Sequence, residues 1–169
     1  VLLGDHESAA KLLAAAPGLG WSDSEHPGHM LFPLFHSLFG GAPLYLSPAA
    51  EYLQRRAMDL DEHLGADNDE PQLATPSVDQ LLAMAGVSEP ADARTRQAIL
   101  KAMRTAAAKR LAGVTEHKCR RYYGHAAQLV ATCAAVDSTT ETTGWVTGVR
   151  AKYRRFPALQ GELNRHLPP

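Results

Sequence analysis

The stretch Thr115-Glu116-His117-Lys118-Cys119-Arg120-Arg121-Tyr122-Tyr123-Gly124-His125-Ala126-Ala127-Gln128-Leu129-Val130-Ala131-Thr132-Cys133-Ala134-Ala135-Val136 decides how this chain folds. Its positions Cys119, Tyr122, Ala126, Leu129 and Cys133 step by three, four, three and four residues, the period of one buried helix stripe. Thr115 is placed to cap that helix, and Val136 and Asp137 to close it. Just upstream, Pro90 opens a long helix to about Leu111. It carries Ile99, Ala102, Met103, Ala106 and Arg110 or Leu111 inward, and Gly113 reads as its break. Two helices joined by so short a break pack antiparallel. On one straight helix, Cys119 and Cys133 stand roughly 21 Å apart, against a Cα limit of about 7 Å for a disulfide. Both are expected to be free and buried, which fits a cytoplasmic protein.

Outward from this pair, the same period recurs. Toward the N-terminus, Asp5 to Ala16 reads as a helix with Ala9, Leu12, Leu13 and Ala16 inward, stopped by Pro17 and Gly18. A second helix carries Leu31, Phe32, Phe35, Leu38 and Phe39, with Pro33 either in its first turn or at a kink. Pro43 to Leu46 is strand-like but too short to build a sheet. Ser47 caps a third helix ending at Leu64. Residues 66–74 form an acidic loop without the ligand spacing of a calcium-binding loop. Thr75 starts a fourth helix with Val78, Leu81, Leu82 and Ala85 inward, ended by Gly86. Toward the C-terminus, a helix from Thr140 to Phe156 and another from Pro157 complete the pattern, the last with Leu159, Leu163 and Leu167 inward. The expected fold is all-α: an irregular array of about eight antiparallel-packed helices in a single domain over residues 1–169.

The composition agrees with a folded, soluble domain: 45% hydrophobic and 21% charged residues over 169 positions. No apolar run approaches the about 20 residues of a membrane-spanning helix, so no membrane partner is expected. Val1 opens the chain with a helix nearly under way, which suggests a fragment of a longer protein. The net charge of −1 conceals a split. Residues 1–87 hold three basic residues, Lys11, Arg55 and Arg56, against twelve acidic ones, a net of −9. Residues 88–169 hold fourteen against six, a net of +8. Two halves of opposite sign either neutralise each other within the fold or turn the basic one toward a polyanion; internal neutralisation is expected, because the basic helices carry their aromatics on the buried stripe.

Eight histidines raise the question of a metal. His26 and His29 form His-Pro-Gly-His, with His36, His117, Cys119 and His125 as further ligand types, but a zinc site needs two close pairs. His117 and Cys119, two apart on a helix, face nearly opposite ways. His26 and His29 are therefore read as turn and helix-start residues, and no metal or cofactor is expected. Asp59, Asp61 and Glu62 crowd one helix as a solvated face. Nucleophile-elbow, metalloprotease, phosphate-loop and dinucleotide motifs are all absent from the sequence, so no catalytic residue is assigned and the protein is not expected to be an enzyme. The basic half does offer Arg120, Arg121, Arg150, Lys152, Arg154 and Arg155, interleaved with Tyr122, Tyr123 and Tyr153. Cations for phosphates and rings for bases are what a nucleic-acid-binding face would use.

Gly4-Asp5-His6-Glu7-Ser8-Ala9-Ala10-Lys11-Leu12-Leu13 and Tyr123-Gly124-His125-Ala126-Ala127-Gln128-Leu129-Val130 resemble the helical units of the tetratricopeptide and HEAT-like repeat families. In both, an alanine pair sits where such units let two helices approach closely. The offset from Ala9 to Ala126 is not a multiple of the about 34-residue tetratricopeptide period, so the resemblance implies an irregular helical array. The helix-rich sequence without a catalytic or cofactor motif leads to the expectation of a non-catalytic interaction or scaffold domain that binds another protein or another domain of the parent chain. The alternative is a nucleic-acid-binding module using the basic residues named above.

Overall fold

The computed structural model describes residues 1, 3–19, 26–40, 80, 83–90 and 92–167. Among them the chain is all-helical, with six α-helices, one 3-10 turn and no strand. The strand-like Pro43 to Leu46, the helix from Ser47 to Leu64, the acidic loop 66–74 and most of the fourth helix lie outside the described residues. Gly86, expected to end that fourth helix, has a φ of 64°, and Ala85 before it is exposed rather than inward.

Helix α1 spans His6–Ala15, and its N-cap Asp5 accepts the Ser8 amide at 3.0 Å. It buries Ala9, Ala10 and Leu13, and Ala16 just beyond it; Leu12 is left outside because Ala10, not Leu12, flanks the stripe. Helix α2, Gly28–Leu38, starts earlier than its apolar pattern suggests, with Pro33 inside it and Phe32 and Phe35 fully buried.

Helix α3 spans Ala93–Glu116, capped by Asp92, which accepts the Thr95 amide at 2.7 Å. Its inward stripe is as expected, and Arg110 and Leu111 are both buried. Two expectations need correcting here. Gly113 does not break the helix: it lies within α3, where a Cβ would stand 2.8 Å from the Gly18 carbonyl carbon and oxygen. Its lack of a side chain is used for close backbone approach. Thr115 likewise caps nothing, being a buried residue of α3 whose hydroxyl donates to the Leu111 carbonyl at 2.7 Å.

The true break is Lys118, with a φ of 54°. Its amide donates to the Thr115 carbonyl at 3.2 Å, and the Cys119 amide donates to Val114 at 2.8 Å. That pair of bonds is the Schellman ending, in which the left-handed residue is usually glycine. A 3-10 turn, Arg120–Tyr122, then leads into α4, Tyr123–Val136. Cys119 thus lies in the junction before the 3-10 turn and Cys133 in α4, not on one helix. Both are free; Cys133 is buried, which pushes its thiol pKa up, whereas Cys119 is only half-buried.

Helix α5 spans Thr140–Lys152, shorter than expected, and α6 spans Pro157–His166 with Leu159 and Leu163 buried and Leu167 buried beyond its end. The packing centres on α4. Helix α1 lies along α3, α3 along α4 and α4 along α6, while α2 rests on α4 and α3, and α5 touches α4. Ten residues of α4 are buried, including Ala126, Ala127, Leu129, Val130 and Cys133, so the helix is enclosed on all sides.

Candidate functional site

The basic residues fall into two segments. Arg120 and Arg121 sit exposed on the 3-10 turn between α3 and α4. Arg150 and Lys152 close α5, and Arg154 and Arg155 form the exposed corner leading to α6. Among the described contacts none joins the two segments. Arg150 is half-buried and donates to Asn164 on α6, while its carbonyl accepts from Gln160 at 3.2 Å. The interleaved aromatics are committed elsewhere. Tyr123 and Tyr153 are buried, and the Tyr122 ring takes the guanidinium of Arg121 at 4.5 Å and that of Arg110 at 4.9 Å.

Contrary to the expected neutralisation between the two halves, ion pairs between described residues stay within one half of the chain. Arg104 of α3 reaches Asp137 at 3.4 Å and Glu141 at 2.6 Å and donates to Thr142 at 2.7 Å, fastening the start of α5. Arg165 holds Glu162 at 2.8 Å, Lys11 reaches Glu7 at 3.4 Å, and Arg96 pairs with Glu89. The described polar links from basic to acidic half go instead to backbone: Lys109 donates to the Ala14 carbonyl at 2.7 Å and Arg110 to Gly18 at 3.2 Å. Both satisfy the end of α1 and the turn after it, which favour cations.

The densest chemistry is a cluster the sequence leaves scattered. His26, immediately before α2, His29 in its first turn, and His125 in α4 come together, with ring centroids 5.4 Å apart for His26 and His125 and 5.8 Å for His29 and His125. His26 and His125 are buried, and so is Arg110 of α3, at 0% exposure. Burial, then the Arg110 charge and the neighbouring imidazole of His29, hold the His26 pKa down at about 4. His125 is held well below its ordinary value by burial, then Arg110, His26 and His29.

The geometry around His26 is specific. Its Nδ1 accepts the Gly28 amide at 3.0 Å, so the imidazole caps α2 in its neutral form. Its Nε2 is buried without a hydrogen-bond partner among the described residues. A Cβ on Gly28 would lie 2.9 Å from Nδ1 and 3.2 Å from the Leu129 side chain, so glycine lets the ring sit there. His26 and His29 do stand at the turn and helix start. His125 showed in the sequence only as a further ligand type without a close partner, and Arg110 as an apolar-stripe position in the basic half; neither pointed to the other or to His26. Among the described residues, no group of three or more His, Cys, Asp or Glu is arranged to hold a metal ion, and no helix is long and apolar enough to cross a membrane. Asp59, Asp61 and Glu62 lie outside the described residues.

Comparison of the chain with family models, with curated proteins and with solved structures yields no match.

Proposed function

We propose that the chain is a non-catalytic helical interaction domain, an irregular repeat-like array of about eight helices that binds another protein or another domain of its parent chain in the cytoplasm. The observation that carries this reading is the set of large apolar side chains left outside the core. Leu12 on α1 is 59% exposed, Met84 79% and Leu3 96%. The fully buried core of a partner-binding surface is apolar, with methionine among its enriched residues. Two further features support it: the tyrosines of the basic half are taken up by packing and by arginines, and the free cysteines suit a reducing compartment.

The test is a photo-crosslinking residue placed at position 12 or 84 of the full-length protein, with position 148, exposed on α5, as the reference. A discrete adduct from 12 or 84 and none from 148 is expected. Equal or no crosslinking from all three would overturn the reading. Exposure of Arg120, Arg121, Arg154 and Arg155 favours a second reading, the nucleic-acid-binding module. Its signature is micromolar or tighter binding of single-stranded RNA or DNA that weakens steeply with salt and is lost on reversing Arg120 and Arg121 without loss of stability.

A further inference from the structure

The chain brings imidazoles from two helices to one buried point beside a buried arginine, and one of them caps a helix through its neutral nitrogen. We propose that the seat of α2 on α4 is a proton-triggered latch, closed while His26 and His125 are neutral and released when they charge beside Arg110. This goes beyond the interaction reading and does not depend on it.

Three local features make protonation disruptive. First, a proton on Nδ1 of His26 turns the acceptor of the Gly28 amide into a donor, so two donors face each other at 3.0 Å and the cap is lost. Second, the new charge sits at the N-terminus of α2, where the helix dipole repels cations. Third, a charged His26 or His125 meets Arg110 and the neighbouring imidazoles inside a buried site, where like charges are weakly screened.

Among the described residues, the surrounding elements bring these charged groups. On α3, Arg110 faces the cluster, while Arg96 lies at the far end of α2, over the Phe39 ring at 4.6 Å. From α4 comes His125, and from the 3-10 turn the Tyr122 ring against Arg110. Helix α1 brings His6, half-buried, and Glu7 and Lys11, exposed and paired with each other. On α2 itself, His36 is half-buried near its C-terminal end. The carboxylate of α6 that approaches α4, Glu162, lies against Gly124 and engages Arg165 and His166.

The sign follows from linkage. The folded pKa of His26, about 4, lies below its ordinary 6.5, so the open state binds more protons in between. The closed seat is at full strength above pH 6.5 and weakens as pH falls toward 4. His125 acts in the same direction.

The experiment is hydrogen exchange of the full chain from pH 7.5 to 4, corrected for intrinsic exchange rates, read for α2 and α4 separately. Residues 28–38 should lose protection between pH 6.5 and 4 while α4 remains protected. The double variant His26→Gln with His125→Gln should move that midpoint down by about half a pH unit or more, and His117→Gln, at an exposed position, should leave it in place. Should the double variant fail to fold, imidazole NMR of the unmodified protein decides. His26 and His125 should stay neutral until α2 loses protection and then charge together with that loss. The proposal is overturned if α2 and α4 lose protection together, if the double variant keeps the original midpoint, or if both imidazoles charge near pH 6.5 with α2 still protected.

Discussion

The α3–α4 spine and helix α5 are consecutive in the chain and built on opposite terms. Helix α4 buries ten of its 14 residues, and α5 buries two of its 13, Thr142 and Val149. Both are helical, yet α4 is held by enclosed apolar surface and α5 mainly by polar fastenings, to Arg104 at its first turn and to Asn164 and Gln160 at its last. At the first turn Arg104 binds Asp137, Glu141 and Thr142, and Thr139 caps the helix by accepting the Thr142 amide. Helicity alone therefore says little about how firmly a segment of this chain is attached. What encloses the helix decides that.

Glycine substitutions should separate the two regions most strongly. Gly113→Ala in α3 places a methyl 2.8 Å from the backbone of Gly18, and neither side can yield cheaply. A loss of about 3 kcal/mol is expected in urea unfolding. A neutral outcome would mean that α1 and α3 do not cross as closely as described.

Next in size is the fastening of α5. Arg104→Met removes the cation from the Asp137–Glu141–Thr142 group and should cost about 1 to 2 kcal/mol. It should also change the pH dependence. Burial alone would raise the Asp137 pKa, but hydrogen bonds from Thr142 and Thr139 and the charge of Arg104 outweigh it and hold the carboxyl below its ordinary range. That stability is present above the ordinary carboxylate pKa and is lost as pH falls through the folded value. In Arg104→Met the acid limb should be shallower, as measured by unfolding at pH 7 and pH 3.5.

The expectations that failed at the α3–α4 junction show what a single sequence conveys. Stripe positions from Ile99 to Leu111 and from Ala126 to Cys133 are legible, because burial repeats with the helix period and the period survives in the residues. The break is not, because the chain puts its turn on Lys118, a residue that favours helix, and spends Gly113 on a contact with a segment more than ninety positions away. Glycine signals either a turn or a close approach, and only the tertiary partner distinguishes them. For the same reason the imidazole cluster was hidden: His26 and His125 are near neighbours only after α2 is laid on α4. Arg120, Arg121, Lys152, Arg154 and Arg155, by contrast, were visible as sequence and remain exposed, since surface charge needs no partner to be read.

Lys118 itself supplies a smaller, stabilising test. A non-glycine residue at the left-handed end of a Schellman motif bears a backbone penalty, so Lys118→Gly should raise stability by about 1 kcal/mol. An unchanged or lowered urea midpoint would argue against that ending for α3. Smallest of all, Gly144→Ala or Gly148→Ala in α5 meets nothing within 4 Å. Each should stabilise by about 0.5 to 1 kcal/mol through helix propensity, opposite in sign to the same substitution at Gly113.

Native-state hydrogen exchange at pH 7 in increasing, sub-denaturing urea tests the division between enclosed and fastened helices most directly. Amides of α4 and the middle of α3 should exchange only through global unfolding, with an opening free energy that falls steeply with urea. Amides of α5 should open locally, at lower free energy and with little urea dependence, until the global process overtakes them. Exchange of α5 with the same free energy and urea slope as α4 would contradict the account.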